Sequence, residues 1–318
     1  MKIKCFCVKI MIVLSMVLCI NSIVNAEMEI VRLTFDEAKA LADKEGNVDL
    51  QCEIGSIYLN GAEEIEIKQD YEEAFKWFKK AAELGSDRGQ VMIGSMYRDG
   101  QGIKINKKEA VKWLTKAAQQ GGAYTQYILA STYFYDKSVR DYNKALEWGL
   151  KAAQQGNVEA QIIVGQMYSS GLGVKANLNE GFQWFKKAAE NGSVQGKFNV
   201  GVMLLNGNGV EQNLSEAFKW LKMASDGGNV KATSLIGNMY YEGAGIEKDY
   251  KKAFEYLKIA AEQGDSIAQG NLAGMYLAGE GVERNADRAM YWYSRAEIGE
   301  DKEVQAWFED FMKQRKEK

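Results

Sequence analysis

The fold is decided by one 36-residue stretch, residues 158–193, which reads VEAQIIVGQMYSSGLGVKANLNEGFQWFKKAAENGS. Its aromatic residue Trp184 recurs along the chain at steps of 35 or 36 residues, as Trp77, Trp113, Trp148, Trp184, Trp220, Tyr256 and Trp292. Small residues recur in nearly the same phase, at Gly55, Gly94, Ala130, Gly165, Gly201, Gly237 and Ala273. A sustained period of this length is typical of a solenoid. Because one helix pair cannot bury its own apolar face, stacked pairs supply the core.

Helix start and stop signals follow the same period, so each repeat is predicted to contain an A helix and then a B helix. The A helices are predicted to begin after Asn47, Ser86, Gly122, Asn157, Ser193, Asn229 and Asp265. The B helices are predicted to begin after Asp70, Asn106, Asp141, Asn177, Asn213, Asp249 and Asn285. Four of these caps predict capping boxes, formed with Glu73, Glu109, Glu180 and Glu216. Left-handed glycines are expected to end the B helices, at Gly85, Gly121, Gly156, Gly192, Gly228 and Gly264.

A Gly-x-Gly motif separates the two helices in most repeats. It occurs at Gly100 and Gly102, Gly171 and Gly173, Gly207 and Gly209, Gly243 and Gly245, and Gly279 and Gly281. A dinucleotide-binding loop would need a preceding strand and a third glycine, and these segments have neither. We therefore interpret them as turns. Two repeats depart from the motif, with an acidic turn at residues 62–66 and a glycine-free turn at residues 135–139, and any individual feature is expected there.

Residues 1–26 have the parts of a secretion signal. Three lysines within the first nine residues precede an apolar run over residues 10–20, and Val24 and Ala26 lie at positions that a signal peptidase reads. The run is too short to span a bilayer comfortably, although an uncleaved anchor is the competing interpretation. We expect an exported, periplasmic or secreted protein that begins at Glu27 and has no stable membrane span after cleavage.

The composition excludes several kinds of site. The chain has no histidine, which excludes Ser-His-Asp and Cys-His catalysis and histidine-based zinc sites. The predicted signal holds three of the 40 basic residues and none of the 43 acidic ones, so the mature chain is more acidic than the formal net charge of −3. Nucleic acid is therefore not an expected partner. We expect no catalytic residue, no cofactor and no bound metal.

Sulfur-containing side chains offer two further candidate features. Signal cleavage would leave Cys52 as the only cysteine, and a lone thiol could be reactive or pair between chains. Cys52 lies within a predicted helix, however, where a small apolar residue fits the core. A methionine also recurs beside the predicted core, and we interpret this set as repeat packing: Met96, Met167, Met203, Met239 and Met275.

Two segments carry a family resemblance. Residues 160–168, AQIIVGQMY, and residues 253–261, AFEYLKIAA, resemble Sel1-like repeats, which are 36-residue relatives of tetratricopeptide repeats. The resemblance extends over residues 47–300. It implies an all-α fold, a right-handed α-α superhelical solenoid of seven helix-turn-helix repeats, without a family-wide active site.

We expect four segments along the chain. Residues 1–26 are the signal peptide, residues 27–46 an N-terminal capping helix, residues 47–300 the seven repeats, and residues 301–318 a C-terminal capping helix with a basic tail. Capping helices cover the ends of such arrays. The mature protein is expected to be a monomer.

The resemblance implies two alternative functions. Exported relatives act as non-enzymatic scaffolds or adaptors in envelope signalling, assembly or host interaction, which predicts a protein or peptide partner. A cysteine-rich branch of the family is linked to β-lactam binding and hydrolysis, which gives the alternative of a cell-wall-directed protein. That branch carries a cysteine pair in each repeat, and the predicted mature chain does not.

The candidate partner-binding surface is a stripe on the A helices. At about 100° per residue, the positions two and nine after the small residue that opens each A helix face away from the core. Many of these positions hold apolar residues, which predicts either a concave groove or packing between repeats. The groove hypothesis names seven residues: Val91, Tyr127, Phe134, Ile162, Phe198, Leu205 and Tyr241.

Overall fold

The computed structural model describes residues 34–296. The predicted signal peptide, residues 1–26, and the predicted C-terminal capping helix, residues 301–318, lie outside the described residues. Within 34–296 the chain forms fifteen α-helices and one short 3-10 helix, Glu63–Ile65, and contains no β-strand. The first helix, α1 (Phe35–Glu45), begins with a capping box in which Thr34 and Glu37 bind each other's backbone N–H groups.

The helices after α1 form seven pairs, numbered here as repeats 1 to 7. The A helices are α2 (Val48–Asn60), α4 (Asp87–Asp99), α6 (Ala123–Tyr135), α8 (Val158–Ser170), α10 (Val194–Asn206), α12 (Val230–Glu242) and α14 (Ser266–Ala278). The B helices are α3 (Tyr71–Glu83), α5 (Lys107–Gln119), α7 (Tyr142–Gln154), α9 (Leu178–Glu190), α11 (Leu214–Asp226), α13 (Tyr250–Glu262) and α15 (Ala286–Arg295).

The described residues form two compact units, 34–160 and 161–296, divided within α8. Inside each unit, an A helix packs against the B helix that follows it, and that B helix packs against the next A helix. The predicted class, an all-α solenoid of seven helix-turn-helix repeats, is confirmed.

The periodic small residues make room for a large side chain on the partner helix. A Cβ added to Gly201 of α10 would lie 2.7 Å from Cγ of Leu221 on α11, and Leu221 is fully buried. Such a distance is well inside van der Waals contact, so only a residue without a side chain fits there. The same relation joins Gly55 to Phe78, Gly94 to Leu114, Gly165 to Phe185 and Gly237 to Leu257.

The predicted B-helix starts are confirmed, but the predicted capping boxes are wrong in one respect. The side chain of Asn213 accepts a hydrogen bond from the backbone N–H of Glu216 at 3.0 Å, as predicted. The return bond is not needed, because the N–H of Asn213 already donates to the carbonyl of Leu204 at 3.0 Å. The glutamates that take other partners are Glu73, Glu109 and Glu216, which bind Lys76, Lys112 and Trp220.

The Gly-x-Gly turns bring consecutive repeats into backbone contact. The second glycine of repeat 5, Gly209, has φ of +72°, and a Cβ there would lie 2.4 Å from the backbone carbonyl carbon of Leu178. Leu178 is the first residue of α9 in repeat 4. The corresponding contacts are Gly102 with Tyr71, Gly245 with Leu214 and Gly281 with Tyr250. The interpretation of these segments as turns is confirmed.

Candidate interaction surface

The predicted groove residues are distributed over both units, each of which is considered by itself. In the first unit, Val91 is only 7% exposed, whereas Tyr127 and Phe134 are half-buried. The members in the second unit, all half-buried, are Ile162, Phe198, Leu205 and Tyr241. Val91 therefore belongs to the packing of its unit and offers little surface. The other six keep exposed apolar surface, and their role in binding a partner stays a prediction.

Core packing holds the stripe of the second unit in place. Ile162, Phe198 and Leu205 all pack against one buried cluster. Tyr241 packs against a second buried cluster, and its hydroxyl also donates to Oε2 of Glu280 at 2.7 Å. This hydrogen bond, together with burial and the carboxylate charge, raises the pKa of Tyr241 to about 12. The stripe side chains are thus preorganised, so little conformational entropy is lost if a partner docks on them.

Charge is distributed unequally between the two kinds of helix. Helices α6 and α14 contain no charged residue, and α8 and α10 contain one each. The B helices α3, α5 and α13 contain five or more. Several B-helix lysines lie over the periodic tryptophans, for example Lys151 Nζ at 4.0 Å from the ring centre of Trp148. In repeats 3, 4, 5 and 7 the charge therefore lies mainly on the B helix, whereas in repeat 2 the A helix α4 carries four charged residues and α5 five.

Helix α6 of repeat 3 carries the largest group of surface aromatic side chains in the first unit, called here the aromatic patch: Tyr124, Tyr127, Phe134 and Tyr135. Tyr124 is 61% exposed and Tyr135 is 60% exposed. The ring centres of Tyr124 and Tyr127 lie 6.5 Å apart, and those of Phe134 and Tyr135 lie 4.7 Å apart. The groove hypothesis named Tyr127 and Phe134 and missed the other two. The signal that could have found them is an aromatic-rich A helix with no charge, next to the turn that lacks glycine.

An ion pair replaces the glycine contact in the turn of repeat 3. Asp136 Oδ2 lies 2.9 Å from Nζ of Lys107, which is the first residue of α5 in repeat 2. Its Oδ1 accepts hydrogen bonds from the Ser138 hydroxyl at 2.6 Å and the Ser138 backbone N–H at 3.0 Å. Hydrogen bonding to Ser138 and the charge of Lys107 lower the pKa of Asp136 to about 2. Lys107 occupies the position that Leu178 and Tyr250 occupy in the glycine contacts.

We predict that Asp136→Asn destabilises the protein in a pH-dependent way. A lowered folded-state pKa stabilises the fold above the unfolded-state pKa, near 4, and this contribution is lost as pH falls towards 2. At pH 7 the free energy of unfolding of the variant should be lower by about 1 kcal/mol, since the pair is partly exposed. Urea unfolding at pH 7 and at several values between 4 and 2 measures the difference.

The control for this prediction is Asp226→Asn, which removes an exposed i,i+4 partner of Lys222. Such pairs contribute little, so its effect should stay within about 0.5 kcal/mol. A stability difference for Asp136→Asn that is the same at pH 7 and pH 2 would contradict the prediction.

Cys52 and the five periodic methionines belong to the core. Cys52 is fully buried, and burial raises the pKa of its thiol, which opposes thiolate chemistry. The five periodic methionines are all buried as well, which confirms their interpretation as packing residues. Within residues 34–296, no group of three or more His, Cys, Asp or Glu side chains is placed to hold a metal ion. None of the helices in that range combines the length and apolarity needed to cross a membrane.

Comparison with known sequences identifies the repeats. A family model described as the Sel1 repeat matches seven consecutive segments: residues 48–86, 87–122, 123–157, 158–193, 194–229, 230–265 and 266–297. No curated protein sequence matches the chain.

Two solved structures are similar over most of the chain. One is a protective antigen of uropathogenic Escherichia coli strains that displays an SLR fold, with 29% identity and a TM-score of 0.80 over 87% of this chain. The chain spans 59% of the length of that protein. The other is a Sel1 repeat protein from Oxalobacter formigenes, with 29% identity and a TM-score of 0.72 over 89% of this chain and 83% of its own length.

Proposed function

Because the chain belongs to the Sel1-repeat family, we propose that it is a non-enzymatic scaffold that binds a protein or peptide partner through its A helices. The observation that carries the proposal is the half-buried apolar stripe on the A helices of repeats 3 to 7, each of which carries at most two charged residues. Aromatic and aliphatic side chains on such a surface lose water when a partner docks, which favours binding. The charged B helices keep the opposite face in solvent.

We also propose that the scaffold is exported and acts in the periplasm or outside the cell. The predicted signal in residues 1–26 supports this. So does the similarity to a protective antigen of Escherichia coli. An exported scaffold would meet its partner in the envelope or beyond it.

Affinity capture from envelope and cytoplasmic fractions tests both parts of the proposal. The full chain should capture a partner from the envelope fraction. Tyr127→Ser in the first unit and Phe198→Ser in the second should each reduce capture about 10-fold or more, because buried aromatic contacts dominate interfaces. The partner is measured by quantitative mass spectrometry.

The matched control is Tyr291→Ser, which removes a 53% exposed tyrosine from a B helix. Its capture should be unchanged. Thermal melts of all variants separate loss of binding from loss of fold, which matters for Phe198 because it packs against the core. Unchanged capture by folded Tyr127→Ser and Phe198→Ser would overturn the A-helix surface as the binding site, and capture only from the cytoplasmic fraction would overturn export.

A further inference from the structure

The net charge changes sign within the first unit. Residues 34–97 hold 14 acidic and seven basic side chains, whereas residues 98–155 hold five acidic and ten basic ones. The net charge therefore goes from −7 in the first range to +5 in the second, although the whole chain has a formal net charge of −3. Most of repeats 2 and 3 is thus a basic region in an acidic protein.

All five acidic side chains of the basic range are already paired with basic ones, at N to O distances of 2.7 to 3.4 Å. The pairs are Arg98 with Asp99, Lys107 with Asp136, Lys112 with Glu109, Lys144 with Asp141, and Lys151 with Glu147. Five exposed cations remain without a carboxylate partner among the described residues, and they are called here the basic surface: Lys104, Lys108, Lys116, Lys137 and Arg140.

Part of the basic surface is a row of lysines along one face of α5. Lys108, Lys112 and Lys116 follow one another at intervals of four residues, which places them on the same side of the helix about 6 Å apart. Lys112 is paired with Glu109, whereas Lys108 has no such partner. Lys116 Nζ lies 4.2 Å from the ring centre of Trp113, which fixes the position of its charge. The row therefore presents positive charge over about 12 Å.

The turn of repeat 3 adds positive charge at the start of this row. Lys107 pairs with Asp136 at 2.9 Å, which holds the turn against the first residue of α5. The turn brings exposed Lys137 and Arg140 to this edge, and Lys104 precedes α5 at the same edge. The row and the edge together form one continuous cationic surface within the first unit.

The unpaired carboxylate of Glu159, which follows the basic range, lies elsewhere in the first unit. Burial and the charge of Glu159 raise the pKa of Tyr127, so Glu159 lies near that side chain. Tyr127 lies eight residues, or about 12 Å, before the end of α6 at which the turn of repeat 3 begins. Glu159 therefore acts towards the opposite end of α6 and leaves the charge of the basic surface in place.

We propose that the basic surface binds an acidic segment of a polypeptide in extended conformation. The inference rests on the proposed function in taking the partner to be a polypeptide, and it adds a second surface to the A-helix stripe. In an extended chain, side chains two residues apart lie on one side at a spacing of about 6.6 Å. This is close to the spacing of the lysine row, so carboxylates at alternate positions meet successive lysines of α5.

The acidic repeat 1 limits the size of the partner. A DNA duplex carries about one negative charge per 1.7 Å, and an anionic bilayer extends over more than one repeat. Either would bring negative charge against residues 34–97, whose net charge is −7. An extended segment that runs along α5 stays within its own repeat. Charge complementarity therefore favours a short acidic segment over nucleic acid or a membrane surface.

Isothermal titration of the full chain with an acetylated and amidated (Glu-Ser)5 peptide tests the inference. The peptide should bind, and the isosteric (Gln-Ser)5 peptide should bind at least about tenfold more weakly, because it carries no charge. The affinity for (Glu-Ser)5 should fall at least about fivefold between 50 and 500 mM NaCl, since salt screens exposed charges.

The double variant Lys108→Gln with Lys137→Gln should reduce the affinity for (Glu-Ser)5 at least about tenfold. Neither lysine has an ion-pair partner among the described residues, so the fold should be unaffected. The matched control, Lys68→Gln with Lys231→Gln, removes two other exposed lysines without such partners and changes the net charge equally. Its affinity should change less than about twofold. Thermal melts check that both double variants are folded.

Several results would overturn the inference. These are absence of (Glu-Ser)5 binding, equal binding of (Gln-Ser)5, an affinity that does not respond to salt, or an equal loss of affinity in the two double variants. Tighter binding of phosphatidylglycerol vesicles or of a 20-base-pair DNA duplex would overturn it in favour of lipid or nucleic acid. Self-association that disappears in Lys108→Gln with Lys137→Gln, measured by sedimentation velocity, would overturn it in favour of the acidic repeat 1 of a second copy.

The two proposals fail separately. If Tyr127→Ser and Phe198→Ser abolish partner capture but (Glu-Ser)5 does not bind, the scaffold proposal stands and the acidic-segment inference is wrong. If (Glu-Ser)5 binds at Lys108 and Lys137 while capture ignores Tyr127 and Phe198, the basic surface stands as a peptide site and the A-helix surface is wrong.

Discussion

Gly209→Ala should destabilise the protein by about 3 kcal/mol or more, although it adds a single methyl group. The new Cβ would lie 2.4 Å from the carbonyl carbon of Leu178 and 2.5 Å from its oxygen. These are backbone atoms at the start of α9, so no side-chain rotation can relieve the clash. The residue would also be held at φ of +72°, which costs an L-amino acid about 1–2 kcal/mol. Urea unfolding followed by far-ultraviolet circular dichroism measures the loss.

Gly192→Ala is the matched control for this prediction. Gly192 has φ of +93°, but a Cβ there would meet no atom within 4 Å. Gly192→Ala should therefore lower the free energy of unfolding only by the cost of the left-handed backbone conformation, about 1–2 kcal/mol. The difference between the two variants isolates the close approach between repeats 4 and 5. Equal destabilisation would show that the approach of Gly209 to Leu178 does not limit the choice of residue.

Leu221→Ala should destabilise the protein by about 2–5 kcal/mol. Leu221 is fully buried on α11, opposite Gly201 on α10. Removing its side chain loses the transfer free energy of the buried atoms and leaves a cavity, because the two helices are held by the neighbouring repeats. The measurement is again the free energy of unfolding in urea, with the thermal midpoint as a second readout.

Met223→Ala tests whether burial, rather than the helix itself, causes this loss. Met223 lies on the same helix and is 41% exposed. Its truncation should change stability by about 0.5 kcal/mol or less. A small effect of Leu221→Ala, or a similar effect of both variants, would contradict the placement of Leu221 in the core of repeat 5.

Most of the fold could be predicted because its signals are local. The caps at Asn213 and Asp249 and the left-handed glycine at Gly192 act through backbone atoms within a few residues. Because these motifs recur in each repeat, a prediction made for one repeat applies to the others. The capping-box prediction was wrong because of a contact beyond these few residues. The backbone N–H of Asn213 donates to the carbonyl of Leu204 in the preceding helix.

The candidate surface could be predicted only in part. Helical angles placed Tyr127 and Val91 at equivalent positions, yet Tyr127 is half-buried and Val91 is only 7% exposed. The same angles did not select Tyr124 and Tyr135, which are the most exposed tyrosines among the described residues. Exposure depends on the side chains that neighbouring helices contribute, and these come from positions some 35 residues away.

The sequence by itself determined the number of repeats, the helix pairs and their turns, because each depends on residues close together in the chain. Only the tertiary structure decided which side chains the repeats expose and which of their residues are in contact. It placed Gly209 against the backbone of Leu178, paired Asp136 with Lys107 where glycine is missing, and left the rings of Tyr124 and Tyr135 in solvent. Each of these follows from contact between repeats, where side-chain volume and charge act across space rather than along the chain.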